Sequence, residues 1–337
     1  MRLRVFIFAN LVIFFVFTSY SLFSNQVLRN TKATTISKHR ALKGHTNSIL
    51  VVAFTLDGKS IVSGSLDGTI YIWDIKSGKT KRILSGKNQI NSLAISGDGK
   101  KIVAVFQNNS IHVWDLRTGK LIKTFTAGTS VHKVSISNND KVAMYYGSAN
   151  DIHILNINSG KTKILLGHKA SINTILITND GKRLFSSALE EPIRVWDTRT
   201  AKTIKVFDEI ILKSEYSKFN SKETASRLTF SSDGKILASA GSFANLIRLW
   251  NVESGKLIKT LKGNSRNIKS LKFSADGKLL ASGSDVGSIR IWNLKTGKTS
   301  IILSGHEDMV FAVAFSPDGK YLVSGGIDKV IRIWKLN

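Results

Sequence analysis

The chain has 337 residues, 42% of them hydrophobic, which suffices for a large core and is too apolar for a disordered chain. It contains no cysteine, which excludes disulfides, thiolate catalysis, cysteine-held metals and a lipoprotein anchor. Its formal net charge of +26 favours polyanionic neighbours such as lipid headgroups, nucleic acid or anionic polymers, without selecting among them.

Arg2 and Arg4 precede an uncharged stretch from Val5 to Ser24, apolar at its heart from Val5 to Phe17. A basic start, an apolar run and the small residues Ser19 and Ser21 predict a secretory signal peptide. The stretch from Val5 to Phe23 is also long enough to span a bilayer as a helix, so an uncleaved N-terminal membrane anchor is the alternative. Cations stand on both flanks, Arg2 and Arg4 before it and Arg29, Lys32, Lys38 and Arg40 after it, so the positive-inside rule assigns no side. The expectation is a hydrophobic helix over residues 1–24, a polar linker over 25–36 and a folded domain over 37–337, exported or anchored to a membrane.

From residue 37 onward the chain repeats. The units Leu42 to Ile75 and Leu303 to Leu336 both begin near Gly-His (Gly44-His45, Gly305-His306) and run through an apolar strand to Phe54 or Phe315. Both turn at Asp-Gly-Lys (Asp57 to Lys59, Asp318 to Lys320) and close on Ile-x-Ile-Trp at Trp73 or Trp334. The tryptophan position recurs at Trp73, Trp114, Leu155, Trp196, Trp250, Trp292 and Trp334, with spacings of 41, 41, 41, 54, 42 and 42. Each unit holds four short runs rich in Val, Ile, Leu and Phe between Gly, Asp, Asn and Ser turns, the pattern of an antiparallel meander. In the first unit these are Ile49 to Phe54, Ser60 to Ser65, Thr69 to Ile75 and Lys79 to Leu84. The last unit stops at Asn337 without its fourth run, and a matching run, Ser37 to Leu42, precedes the first Gly-His. The N-terminal run is therefore expected to pair with the last unit and close a ring.

Several motifs in phase over residues 37–337 resemble the WD-repeat (Trp-Asp repeat) family. The resemblance implies an all-β fold, a seven-bladed WD-repeat β-propeller, with the N-terminal strand in the last blade. It also implies a buried hydrogen-bonded set within a blade, formed by the Gly-His histidine, a strand Ser, a turn Asp and the Trp. By position these are His45, Ser63, Asp67 and Trp73; His306, Ser324, Asp328 and Trp334; and, with Glu for Asp, His168, Ser186, Glu190 and Trp196. Such a His–Ser–Asp grouping has the composition of a catalytic triad, but a buried network repeated around a ring fixes blades and offers no substrate pocket. The second unit keeps Trp114 with Ala104 and Asn108 at the Ser and Asp positions, the third has Leu155 for Trp, and the sixth has Val286 at the turn position. His112 and His153 occupy equivalent strand positions, but Tyr71, Arg194, Arg248, Arg290 and Arg332 do so elsewhere, which marks a general polar position and no metal site. No catalytic residues and no cofactor are expected.

The spacing of 54 places an insertion within Asp208 to Arg227. Its apolar and aromatic residues, with a lysine among them (Ile211, Leu212, Lys213, Tyr216, Phe219), are candidate partner contacts. The first and third turns of each meander lie at one end. They carry Lys59, Lys100, Lys141, Lys182, Lys235, Lys278 and Lys320, and Lys79, Lys120, Lys161, Lys202, Lys256 and Lys298. The expected function is a non-enzymatic protein-binding scaffold, a monomeric propeller exported or tethered to a membrane. The alternative is a cytoplasmic-side adaptor that binds anionic lipid or nucleic acid through the lysine face. Nucleic acid is disfavoured, because the lysines lack interleaved aromatics for base stacking.

Overall fold

The computed structural model describes residues 33–86, 88–128, 131–146, 150–207, 225–241, 245–263 and 267–336. The hydrophobic helix expected over 1–24 and the insertion residues Ile211, Leu212, Lys213, Tyr216 and Phe219 lie outside these described residues. Among the described residues every regular element is a strand, and no helix is long and apolar enough to cross a membrane.

Two short strands come first, β1 (Thr34–Ile36) and β2 (His39–Leu42). Blade 1 follows as β3 (Ile49–Phe54), β4 (Ser60–Ser65), β5 (Thr69–Asp74) and β6 (Thr80–Ser85). Blade 2 is β7 (Ile90–Ile95), β8 (Lys101–Phe106), β9 (Ser110–Asp115) and β10 (Leu121–Thr126). Blade 3 is β11 (Val131–Ile136), β12 (Lys141–Tyr146), β13 (Ile152–Asn156) and β14 (Thr162–Leu165). Blade 4 is β15 (Ile172–Ile177), β16 (Arg183–Ala188), β17 (Arg194–Asp197) and β18 (Thr203–Val206). Blade 5 is β19 (Ala225–Phe230), β20 (Ile236–Gly241), β21 (Leu246–Asn251) and β22 (Leu257–Lys262). Blade 6 is β23 (Ile268–Phe273), β24 (Leu279–Ser284), β25 (Ile289–Asn293) and β26 (Lys298–Leu303). Blade 7 is β27 (Val310–Phe315), β28 (Tyr321–Gly326) and β29 (Ile331–Lys335), completed by β2.

The first hairpin of every blade is set by one piece of turn chemistry. In blade 1 the Thr55 hydroxyl donates to Asp57 Oδ1 at 2.6 Å, the Lys59 amide donates to the same oxygen at 3.0 Å, and Gly58 takes φ 66°. The carboxylate thus closes its own turn, and the left-handed position suits glycine. The same hydroxyl-to-side-chain bond recurs at Ser96–Asp98, Ser137–Asn139, Thr178–Asp180, Ser231–Asp233, Ser274–Asp276 and Ser316–Asp318. Blade 3 alone places a residue other than glycine in the left-handed position, Asp140 at φ 63°.

No blade covers its own faces, and the core is divided accordingly. Among the described residues seven hydrophobic clusters occur, and each is built from two adjacent blades. The tryptophan of the third strand in six blades packs backward onto the preceding blade. Trp114 joins Val62, Ile70 and Ile72 of blade 1, and Trp334 joins Ala281, Ile289 and Ile291 of blade 6. Leu155 fills the equivalent place in blade 3, beside Val103, Val105 and Val113 of blade 2. Truncating one of these tryptophans to alanine is expected to cost about 3–5 kcal/mol. The innermost strands pack each on the next, from β3 through β7, β11, β15, β19 and β23 to β27, which returns to β3. A ring around a central axis results.

Closure uses the strand that the repeat arithmetic predicts. β2 pairs antiparallel with β29 in the register His39↔Trp334, Arg40↔Ile333, Ala41↔Arg332 and Leu42↔Ile331. Leu42 is buried in the cluster shared by blades 7 and 1. One expectation is corrected here. The segment 25–36 was expected to be linker throughout, but its end, Thr34–Ile36, is a strand. It pairs parallel with β26 in the register Thr34↔Ile301, Thr35↔Ile302 and Ile36↔Leu303, making a fifth strand on blade 6. β26 would otherwise present a free edge, and Thr-Thr-Ile is β-branched throughout, which suits a strand. Ile36 packs against the cluster between blades 6 and 7.

Candidate functional site

The polar sets expected from the sequence come together as follows. In blade 7 the Trp334 indole N–H donates to Ser324 Oγ at 2.8 Å, and His306 Nε2 lies 2.7 Å from that oxygen. His306 Nδ1 lies 2.8 Å from Asp328 Oδ2. Blade 1 repeats this geometry, with Trp73 to Ser63 at 2.8 Å, Ser63 to His45 Nε2 at 2.7 Å and His45 Nδ1 to Asp67 at 2.9 Å. The carboxylate beside Nδ1 can only accept, so a neutral imidazole carries its proton on Nδ1 and takes the serine hydroxyl's proton at Nε2, while the serine oxygen accepts from the indole.

Burial agrees with a neutral imidazole. Removal from water is the largest influence on His45, His168 and His306 and pushes each below the usual histidine range; the adjacent carboxylate works against it and is outweighed. Burial would raise the Asp328 carboxyl, yet its contacts with His306 and Arg332 hold it down at about 2. Ser63, Ser186 and Ser324 are 0% exposed, so no substrate reaches these hydroxyls. The triad-like composition therefore describes a structural cross-brace of the blade.

Blade 4 departs from the sequence expectation at one position. His168 Nδ1 meets Glu191 at 2.8 Å, where Glu190 was expected, while His168, Ser186 and Trp196 sit as in the other blades. The reason is local. Pro192 has no N–H to give to the ladder, so β17 starts late, at Arg194. The turn shifts by one residue: Glu190 is exposed and takes the left-handed position at φ 56°, and the next carboxylate turns inward. Arg194 then contacts Glu191 as Arg332 contacts Asp328.

Sequence reasoning also missed part of the pattern. Ser239 accepts from Trp250 at 2.8 Å and Ser282 from Trp292 at 2.9 Å, so blades 5 and 6 keep the serine–tryptophan bond. The signal was present, a serine ten or eleven residues before each tryptophan. His153 meets Asp151 at 2.9 Å, and His112 is a half-buried residue of β9; no group of three or more metal-ligating side chains occurs among the described residues.

The surface has two distinctive regions. At the end formed by first and third turns, twelve of the thirteen lysines are exposed. Lys141 is the exception and turns inward, to Gly181 O at 2.9 Å and Thr198 Oγ1 at 3.0 Å. An open hollow of about 380 Å3 lies at this end between blades 1 and 2, lined by Asp57, Lys81, Arg82, Asp98 and Arg117 among others. Around the rim, the fourth strands of blades 1 to 5 leave Ile83, Leu121, Ile122, Ile164, Ile204, Val206, Leu257 and Ile258 between 41% and 53% exposed.

The ring of seven sheets and its serine–tryptophan braces define a WD-repeat propeller. The WD domain, G-beta repeat, matches residues 36–74, 78–115, 216–251, 255–293 and 297–335, more than half of the chain, and the chain belongs to this family. It is 29% identical over 109 residues to guanine nucleotide-binding protein subunit beta of Oryza sativa subsp. indica, covering 32% of this chain and 27% of that protein. It is 43% identical over 56 residues to small ribosomal subunit protein RACK1 of Dictyostelium discoideum (16% of this chain, 17% of that protein). It is 37% identical over 49 residues to target of rapamycin complex subunit wat1 of Schizosaccharomyces pombe (14% of this chain, 16% of that protein). The chain thus spans about a sixth to about a quarter of the length of these relatives.

Proposed function

We propose that the protein is a non-enzymatic scaffold that binds a protein partner and is exported or held at a membrane by its N-terminal segment. The observation that carries the binding role is the apolar rim. Isoleucines, leucines and a valine on the fourth strands of five successive blades stand in water, beyond what the core needs. Extended apolar surface of this kind marks association sites in soluble proteins. The relatives are named as subunits of larger assemblies, which fits the same role. Ile211, Leu212, Lys213, Tyr216 and Phe219 of the insertion are proposed as further contacts. The test is affinity capture of a defined partner from the native host with three chains: the intact protein, one carrying Ile122→Lys and Ile204→Lys, and one lacking residues 209–221. A partner captured by the intact chain and lost from either variant is the expected result. One retained equally by all three refutes the assignment of these surfaces.

A second reading has its own observation. β1 runs parallel to β26, so the chain arrives from the end of blade 6 that bears the third turn and Lys298. A membrane-held N-terminus would thereby turn the twelve exposed lysines toward anionic headgroups, where each adds up to about 1 kcal/mol. Flotation with phosphatidylserine vesicles at 50 and 300 mM salt tests it. Salt-sensitive binding is expected, and absent or salt-insensitive binding contradicts it.

A further inference from the structure

One register position of the outermost strands sets blade 6 apart. Opposite the residue before each blade's tryptophan, or before Leu155, stand Arg40, Arg82, Lys123, Lys163, Lys205 and Lys259. Each of these six cations reaches to the next blade and donates to a carbonyl oxygen of its third turn. Arg40 grips Ile75 O at 2.7 Å, Arg82 grips Arg117 O at 3.0 Å, and Lys123 grips Ile157 O at 2.8 Å. Lys163 reaches Arg199 O, Lys205 reaches Glu253 O, and Lys259 reaches Leu294 O at 3.0 Å. In blade 6 the position holds Ile301, opposite Ile291. The neighbour explains the exception. β2 enters blade 7 from the N-terminal side of the chain, so blade 7 has no third turn linking β29 to β2 for a cation to grip.

The edge of β26 takes a peptide strand instead. Thr34 of β1 lies opposite Ile301, and Ile301 and Ile36 both pack on the cluster shared by blades 6 and 7. The Ser304 N–H donates to the Ile36 carbonyl oxygen at 3.1 Å. The next position shows the same contrast. Ile302, opposite Thr35, is 2% exposed, whereas Ile83, Ile164 and Val206 at that position of blades 1, 3 and 4 are 53%, 48% and 41% exposed.

β1 holds this place with few contacts. It has three residues, exposes the side chains of Thr34 and Thr35, and commits one half-buried apolar side chain, Ile36. It pairs in parallel, which is slightly the weaker pairing per residue. We infer that the edge of β26 between blades 6 and 7 is an acceptor site for an extended segment of a partner protein, two β-branched residues followed by isoleucine or valine. β1 is its resident occupant and is displaced when the partner binds. In such strand addition main-chain hydrogen bonds give affinity and alternate side chains give specificity. A second copy of the chain does not fit. Only Ser37 and Lys38 separate β1 from β2, so the two strands stay within about 11 Å at full extension, and β1 cannot reach another molecule while β2 completes its own blade. The site is separate from the rim of blades 1 to 5 and from the insertion, and neither assignment depends on the other.

The Ser304 amide reports occupancy of the site, because its partner is Ile36. Its hydrogen exchange in the intact chain, followed by NMR, tests the inference. In the parent, Ser304 should be protected, yet exchange at least about a hundredfold faster than the core of β29, since β1 opens without the ring. Ile36→Asp should release β1 and abolish that protection. A peptide of Ala33 to Ser37 at about 5 mM, comparable with the effective concentration that a short tether gives, should restore it. The same peptide carrying Ile36→Asp should not. Ile36→Gly is the second release variant should the first fail to fold, with the same expected outcome. Ser304 protected as strongly as β29 would make β1 an integral strand and overturn the inference. So would an unprotected Ser304 in the parent, a released chain whose Ser304 the peptide leaves unprotected, or equal protection by both peptides.

Discussion

Ser324 is the hinge of its blade's polar chemistry because one oxygen serves two buried partners. It accepts from the Trp334 indole and donates to His306. Ser239 serves Trp250 at the corresponding place in blade 5. Ser324→Ala strands a buried donor and a buried acceptor, and is expected to cost about 3 kcal/mol; Ser239→Ala strands one donor and should cost about 1–2 kcal/mol. Urea unfolding of the two variants checks the ordering, and equal costs would contradict it. The histidines add a pH signature. An unfolded histidine titrates at about 6.5, and His45, His168 and His306 are held lower in the folded chain, chiefly by burial. The unfolded state therefore takes up protons first as pH falls. The stability contributed by the neutral imidazoles is complete above about pH 6.5 and declines below it. A further decline sets in below about pH 4, as Asp328 titrates toward its lowered value of about 2. Replacing His306 and His45 with Gln should flatten the first decline, read from urea midpoints between pH 4 and 8.

At the scale of an element, the turns show what a sequence can and cannot disclose. The Asp-Gly-Lys hairpins were legible because their chemistry is local: a carboxylate, a left-handed residue and a hydroxyl within a few positions. The Glu190 expectation failed because counting from Ser186 cannot register what Pro192 does to the following ladder. β1 was illegible for a different reason. Three residues carry little periodicity, and their partner, β26, lies about 270 positions away in the chain. The third turns supply a test. Blades 1, 2, 3, 5 and 6 put Gly78, Gly119, Gly160, Gly255 and Gly297 in the left-handed position, whereas blade 4 has Ala201 at φ 61°. The Cβ of Ala201 bears a steric cost there that glycine avoids, so Ala201→Gly should raise stability by about 1 kcal/mol. An unchanged or lowered thermal midpoint would contradict that account of the turn.

For the whole molecule, the ring was legible because a repeat multiplies a weak signal. Any one unit is ambiguous, and blade 3 has lost even its tryptophan, yet Leu155 keeps the phase and the packing place. The candidate binding surfaces were less legible. The lysine end follows from turn positions, but the inward course of Lys141 and the apolar rim depend on how blades face each other. Seven sheets, each with two faces to cover, leave seven shared clusters among the described residues and a last blade that β2 completes. If β2 is an integral strand of blade 7, its backbone amides open only when the ring does. Hydrogen exchange on the intact chain measures this directly. The amides of β2 that bond to β29 should be protected to the same free energy as the core of β29. Rapid exchange of β2 beside a protected β29 would contradict closure of the ring by the N-terminal strand.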